Sequence, residues 1–111
     1  MRYILIISTV IVLICGNLFA EEPDSLFFKA NRAYANAYYS EAVDNYLMVV
    51  DAGYESAGLY FNLGNAYFKL NDFPSAILYY EKAKKLDPNN EDIKFNLGVA
   101  NSKIVDKRTG P

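Results

Sequence analysis

The sequence predicts an all-α fold, a right-handed array of antiparallel helix pairs. Residues 57–90 hold two helical patterns joined by a short turn, the same pattern recurs more loosely at residues 23–56, and its first half recurs at residues 91–104. A helix pair that recurs every 34 residues indicates a stack of repeats, because one pair cannot bury its apolar face alone. The domain is therefore expected to contain five helices.

Residues 57–90 carry the clearest helical signals. Apolar or small residues recur at positions i, i+3, i+4 and i+7, which share one face of a helix. The first set is Tyr60, Leu63, Gly64 and Tyr67, and the second is Ala76, Tyr80 and Ala83. Asn71 can close the first helix, and Asp72 with Pro74 can begin the second. Pro88 ends the second helix, because proline disfavours helical backbone in the residue before it.

Side-chain size explains how these two helices pack. Gly64 and Ala76 are small where the helices must approach closely, and Tyr67 and Tyr80 are large where a gap must be filled. In these features the stretch resembles the tetratricopeptide repeat, with Tyr60 where that family usually has tryptophan. The resemblance rests on Tyr60, Leu63, Gly64, Tyr67, Ala76, Tyr80, Ala83 and Pro88. It implies a right-handed superhelix of about two and a half repeats, whose first helices line a concave groove.

The first repeat, residues 23–56, fits the pattern less closely. We expect its helices at about 25–37 and 40–52. Asp24 or Ser25 can cap the first helix, and Ser40 can start the second, because their side chains accept hydrogen bonds from free backbone amides.

The last helix belongs to a half repeat at residues 91–104, with Asn90 as its cap, and residues 105–111 are expected to form a flexible tail. Its partner helix is missing, so we expect an exposed apolar face that either meets a partner or is covered by a longer chain. The residues of that face are Ile93, Leu97 and Ile104.

Residues 1–20 have the layout of a secretory signal peptide. A short basic start precedes an apolar run at 4–15, and Ala20 offers a cleavage site before two glutamates. The alternatives are an uncleaved membrane anchor through residues 4–15 and lipid attachment at Cys15. We therefore expect an exported protein, in the periplasm or associated with the membrane of the cell envelope.

The residue types disfavour catalysis. The chain has no histidine, and its one cysteine, Cys15, lies in the signal segment, so the commonest general base, nucleophile and soft metal ligand are lacking from the predicted domain. The adjacent carboxylates Glu91 and Asp92 suit the first turn of a helix. A net charge of −2 does not favour a nucleic-acid partner. We predict a protein that is not an enzyme and has no cofactor and no metal.

The first helices of the repeats carry the candidate binding residues. By the resemblance, these line the groove that binds a protein or peptide partner: Phe27, Asn31, Tyr34, Phe61, Asn62, Asn65, Phe68, Lys69, Phe95 and Asn96. Asparagine has both donors and an acceptor, so it can pair with an extended peptide backbone. Alternatively, the aromatic residues fill the seam between helices. If Asn65 contacts a ligand, Asn65→Ala weakens binding and leaves folding unchanged; if it bonds a neighbouring helix, the substitution lowers the melting temperature.

A more particular resemblance covers residues 26–108. This region, with a signal peptide ahead of it, is similar to the repeat region of the BatE family, cell-envelope proteins of the Bacteroides aerotolerance (Bat) operon. The start at Glu91 and the ending at Lys107 carry the likeness beyond the repeat itself. The resemblance implies a non-catalytic scaffold that works beside other Bat proteins. The alternative is a structural module that self-associates through the exposed face of the last helix.

Overall fold

The computed structural model describes the backbone of residues 21–109 and the side chains of residues 21–105. Within this part of the chain the backbone forms helices α1 (Pro23–Ala35), α2 (Tyr39–Asp51), α3 (Ala57–Lys69), α4 (Phe73–Leu86) and α5 (Glu91–Thr109). The predicted all-α fold of five helices is confirmed. The predicted signal segment at 1–20 lies outside the described residues. None of α1 to α5 is long and apolar enough to cross a membrane.

The ends of α3 and α4 follow the predicted signals. Asn71 adopts a left-handed conformation with φ 61°, which turns the chain after α3. Asp72 then caps α4, because its Oδ1 accepts a hydrogen bond of 3.2 Å from the backbone amide of Ser75. Asn90 caps α5 in the same way, with 3.1 Å from its Oδ1 to the amide nitrogen of Ile93. These two predicted caps are confirmed.

The starts of α1 and α2 differ from the prediction. Helix α1 begins at Pro23, two residues earlier than expected, because proline has no backbone N–H to leave unsatisfied and its fixed φ suits a first turn. The backbone of Tyr38, not the side chain of Ser40, starts α2; no side-chain cap is present at either start. A backbone turn sets this start, since Ala37 has φ 63° and the Tyr38 amide donates to the carbonyl of Ala33 over 2.8 Å. The predictions of Asp24, Ser25 and Ser40 as caps were wrong.

Each helix packs on the next one along the chain, so the core is a row of seams between neighbours. Tyr46 and Tyr80 are the largest of the fully buried side chains, each about 1% exposed. The Tyr80 ring fills the space that Gly64 leaves open: a Cβ at Gly64 would lie 2.6 Å from Tyr80 Cδ1. The close approach expected from Gly64 therefore exists, and glycine is required for it at this helix spacing.

The face predicted to be exposed on α5 is mostly buried. Ile93 and Leu97 are 2% and 6% exposed, because they pack against α3 and α4 within the same chain, and Ile104 is half-buried. Helix α5 also continues five residues past position 104, to Thr109, since no glycine or proline interrupts it there. The apolar face of α5 therefore packs against the preceding helix pair, and a different face of α5 is exposed.

Candidate partner-binding groove

Helices α1, α3 and α5 lie side by side and form two clefts that share Tyr34 and Asn65. The larger cleft has a volume of about 350 Å³ and is lined by Tyr34, Asn65, Phe68, Lys69, Tyr80, Phe95, Asn96 and Val99. The smaller has a volume of about 100 Å³ and is lined by Asn31, Tyr34, Tyr46, Asn62 and Asn65. Because Tyr34 and Asn65 line both, the two clefts lie next to each other, and we call them together the groove.

A three-residue hydrogen-bond cluster lies at the floor of the larger cleft. The Tyr80 hydroxyl donates to Asn65 Oδ1 over 2.6 Å, and Asn96 Nδ2 donates to the same oxygen over 3.0 Å. These residues come from α4, α3 and α5, so the Asn65 oxygen connects one helix pair to the following helix. The contacts of Asn65 are thus those of the second alternative, in which it bonds neighbouring helices, and that alternative predicts a lower melting temperature for Asn65→Ala.

The smaller cleft contains the same cluster one repeat earlier. The Tyr46 hydroxyl donates to Asn31 Oδ1 over 2.6 Å, and Asn62 Nδ2 donates to that oxygen over 3.4 Å. In both clusters the tyrosine follows its asparagine by 15 residues. We call the two clusters together the asparagine ladder. It repeats with the helix pairs, so it follows the course of the groove.

In each cluster of the ladder, one side-chain amide donor and one side-chain amide acceptor make no hydrogen bond within the described chain. The Oδ1 atoms of Asn31 and Asn65 are bonded internally, whereas their Nδ2 atoms have no hydrogen-bond partner within the described chain. The Oδ1 atoms of Asn62 and Asn96 are likewise unused. None of these atoms is a buried polar group without a partner, so each is within reach of solvent or a ligand. The groove therefore presents alternating donors and acceptors, which an extended peptide backbone can match.

Both ladder tyrosines have a pKa above the ordinary value for a phenol. Burial, with a smaller contribution from the nearby phenol of Tyr34, raises the pKa of Tyr46 to about 12. Burial also raises the pKa of Tyr80. A neutral phenol keeps its hydrogen, so each hydroxyl remains a donor to its asparagine at physiological pH. The ladder therefore holds its donor pattern across the physiological range.

The predicted groove residues divide into two groups. The clefts contain eight of them: Asn31, Tyr34, Asn62, Asn65, Phe68, Lys69, Phe95 and Asn96. Phe27 and Phe61 line neither cleft; each packs against its own repeat's ladder tyrosine, with ring centroids 6.0 Å apart for Phe27 and Tyr46 and 5.9 Å for Phe61 and Tyr80. Phe27 and Phe61 therefore fill the seam between helices, which was the alternative interpretation. Phe95 is 71% exposed, and it has no such ring partner among the residues whose side chains the structure describes.

Three lining residues were missing from the sequence prediction: Tyr46, Tyr80 and Val99. The two tyrosines belong to second helices, whose residues were assigned to the core, yet their hydroxyls reach the groove. The spacing of 15 residues between each asparagine and its tyrosine, present in both repeats, was the available signal. Among the described residues no three His, Cys, Asp or Glu side chains lie close enough together to hold a metal ion.

The comparison with protein families decides what kind of repeat this is. Residues 57–90 match the tetratricopeptide repeat. Human tetratricopeptide repeat protein 6 is 44% identical over 43 residues, which is 39% of this chain and 8% of that protein. The chain thus spans less than a tenth of that relative. Together with the helix pairs, these matches make the fold an all-α tetratricopeptide repeat fold. Such repeats generally serve in protein–protein interaction and are generally not catalytic.

Proposed function

We propose that this chain is a non-catalytic interaction module that binds an extended segment of a partner protein in the groove formed by α1, α3 and α5. The observation that carries the proposal is the asparagine ladder, which runs through both clefts of the groove. Its unused amide atoms recur with the repeats, and a peptide backbone offers a matching series of donors and acceptors. Backbone pairing of this kind gives affinity with little dependence on the ligand's side chains.

The larger cleft supplies the side-chain preference. Phe95, which is 71% exposed, and Phe68 form apolar walls, and Lys69 stands exposed at the cleft's edge. An aromatic or aliphatic ligand side chain gains by covering the exposed Phe95 ring. An acidic group nearby would meet the Lys69 ammonium. We therefore infer a partner segment in which an apolar residue lies close to an acidic one.

The groove does not suit a peptide's terminal carboxylate. Tetratricopeptide repeats that clamp such a group use lysines with asparagines, and here Phe27, Asp92 and Asn96 stand at the basic positions. We propose recognition of an internal stretch of chain instead.

The proposed location is the bacterial cell envelope, beside Bat-type proteins of an aerotolerance or stress complex. Support comes from the signal-peptide layout of residues 1–20 and from the likeness of residues 26–108 to the BatE repeat region. To test export, the tagged chain is expressed in a Gram-negative host, and the N-terminus of the periplasmic or membrane-bound product is sequenced. A mature start at Glu21, or retention in the membrane, supports export. Accumulation of the whole chain in the cytoplasm contradicts it.

The side chains of Ile93 and Leu97 are buried within the chain, so they offer no exposed surface for self-association. We therefore do not favour that alternative over partner binding in the groove.

The groove itself is tested by a charge reversal with a matched control. Lys69→Glu changes an exposed residue at the cleft's edge, whereas Lys85→Glu makes the same change on α4, outside both groove clefts. Each variant and the unmodified chain are used as bait in a detergent-solubilised envelope extract, and captured proteins are quantified by mass spectrometry. We expect a partner that Lys69→Glu loses and Lys85→Glu retains. Equal capture by all three baits would refute the groove assignment.

A further inference from the structure

A third cleft lies at the end of the first repeat where helices α1 and α3 begin, and its volume is about 180 Å³. We call it the end cleft. The residues that shape it are Asp24 and Phe27 on α1, Val49 on α2, Tyr54 and Glu55 in the loop between α2 and α3, and Leu59 on α3. No residue that lines the end cleft also lines a cleft of the groove, so the two are separate surfaces.

The floor of the end cleft is apolar and belongs to the core. Val49 and Leu59 are buried, and Phe27 is half-buried, with its ring packed against that of Tyr46. Beside this floor the Tyr54 ring is 51% exposed. Pockets for drug-sized ligands have volumes of about 300–1,000 Å³, so a cleft of about 180 Å³ suits a single side chain better.

Two carboxylates line the same cleft without a counter-charge. Asp24 and Glu55 are both exposed, and neither forms an ion pair within the described part of the chain. The Tyr60 hydroxyl donates a hydrogen bond of 2.9 Å to Glu55 Oε1, but a neutral donor adds no positive charge. The cleft therefore combines an apolar floor, an exposed aromatic ring and two carboxylates.

These two carboxylates are not part of the repeat pattern. The equivalent positions in the second repeat, 34 residues later, hold Gly58 and Asn89. The second repeat forms the same helix pair without the charges, and the side chain of Asp24 does not cap α1. The fold of a repeat therefore does not require an acidic residue at either position.

The first repeat as a whole has an excess of negative charge. Residues 23–56 contain five acidic and two basic side chains, whereas residues 57–90 contain three acidic and four basic ones. Of the two basic side chains, Lys29 pairs with Glu21 and Arg32 does not line the end cleft. Charge complementarity therefore favours a positively charged occupant.

We propose that the end cleft binds an arginine side chain of the partner protein. The aliphatic part of an arginine can cover the apolar floor while its guanidinium stays at the rim. The guanidinium is planar and has five donors, so it can pair with both carboxylates and lie over the Tyr54 ring. The compact ammonium of a lysine suits this combination less well. The inference rests on the proposed partner binding, but it uses no residue of the groove clefts.

The site is tested with three small probes. N-acetyl-arginine amide is titrated into the isotopically labelled chain, and nuclear magnetic resonance follows the backbone amides of residues 54–59. The citrulline compound has the same shape without the charge, and the lysine compound has the charge without the planar group. We expect saturable shifts with the arginine probe, about tenfold weaker binding of the citrulline probe, and weaker binding of the lysine probe.

A matched pair of double variants locates the binding. Asp24→Asn with Glu55→Gln removes both charges from the cleft and keeps an oxygen that can accept from the Tyr60 hydroxyl. Glu41→Gln with Asp44→Asn is the control, since it removes the same two kinds of charge from exposed residues of α2 that do not line the end cleft. We expect the cleft variant to bind the arginine probe about tenfold more weakly and the control to bind it as before. Circular dichroism establishes that both variants are folded.

The same two double variants then serve as baits in the envelope extract, where the cleft variant should capture less of the partner and the control should capture it fully. Four results would overturn the proposal: equal binding of the citrulline or lysine probe, equal binding of the arginine probe by the cleft variant, an equal loss in the control, or equal capture by both baits. A dimer in light scattering that only the cleft variant loses would also overturn it, because the arginine would then come from a second copy.

The end cleft and the groove can fail independently. Lys69→Glu changes a groove residue and should leave binding of the arginine probe unchanged. If the groove assignment fails, the arginine titration still responds to the cleft variant. If the end cleft fails, the loss of capture by Lys69→Glu remains.

Discussion

One substitution made at two equivalent positions should have opposite effects on stability. Gly64 and Gly98 both lie within helices, 34 residues apart in the repeat pattern. Alanine at Gly64 would place its Cβ 2.6 Å from Tyr80 Cδ1 and 2.7 Å from Cε1. That ring is buried and its hydroxyl is bonded to Asn65, so it cannot move aside freely. Alanine at Gly98 would meet nothing within 4 Å.

The magnitudes follow from two competing terms. Overpacking a buried contact costs about 1–3 kcal/mol, and replacing glycine by alanine within a helix gains about 1 kcal/mol. We take about 2 kcal/mol, the middle of that range, as the cost at Gly64, because the Tyr80 ring it would meet is buried and hydrogen-bonded. We therefore expect Gly64→Ala to lower the free energy of unfolding by about 1 kcal/mol and Gly98→Ala to raise it by about 1 kcal/mol.

Thermal denaturation followed by circular dichroism measures both changes. For a domain of this size, about 1 kcal/mol shifts the melting temperature by about 4–8 °C, so the two variants should lie on opposite sides of the unmodified chain. Stabilisation by Gly64→Ala would show that Tyr80 does not hold the two helices at the described spacing. Destabilisation by Gly98→Ala would show that the space beside Gly98 is not open.

Three further predictions concern named contacts. Asn65→Ala leaves the buried Tyr80 hydroxyl without its acceptor and should cost about 1–3 kcal/mol in urea denaturation; an unchanged midpoint would refute the ladder. Asp72→Ala removes the cap of α4 and should cost about 1 kcal/mol, whereas no loss would assign the α4 start to backbone contacts alone. Stability should fall above pH 10, because the pKa of Tyr46 is about 12 when folded and about 10 when unfolded, so the neutral form's contribution is lost between these values. Tyr46→Phe should reduce the slope of the unfolding free energy against pH by up to about 1.4 kcal/mol per pH unit. An identical slope in the variant would mean that Tyr46 is not the titrating group.

The sequence predicted the fold where local and repeating signals agreed. At Asn71, Asp72 and Asn90 the side chain itself closes or caps a helix, so the residue type reveals the boundary. The start of α2 could not be located in this way. There a backbone turn at Ala37 sets the boundary, and an alanine in a left-handed conformation has no signature in the sequence.

The candidate groove was only partly predictable for a related reason. Position in the repeat places a residue on a helix face, and eight of the ten predicted residues do line the clefts. Whether a side chain then points into the groove or into the seam depends on its neighbour. Phe61 packs against the Tyr80 ring, whereas Phe95, at the same repeat position, has no ring partner in the described part of the chain and is exposed. The face of α5 was misjudged because Ile93 and Leu97 pack backwards onto the preceding pair.

The asparagine ladder also has a mechanical consequence. Asn62 and Asn96 each donate across the boundary between one helix pair and the next, on the side of the groove. Hydrogen bonds are directional, so bending the array at such a boundary strains them at once, whereas apolar contacts elsewhere in the seam tolerate small sliding motions. We therefore expect the array to resist bending more strongly along the groove than along its opposite surface. For the proposed function this means that the ladder holds the groove in shape before a partner segment arrives, so little binding energy is expected to go into reshaping it.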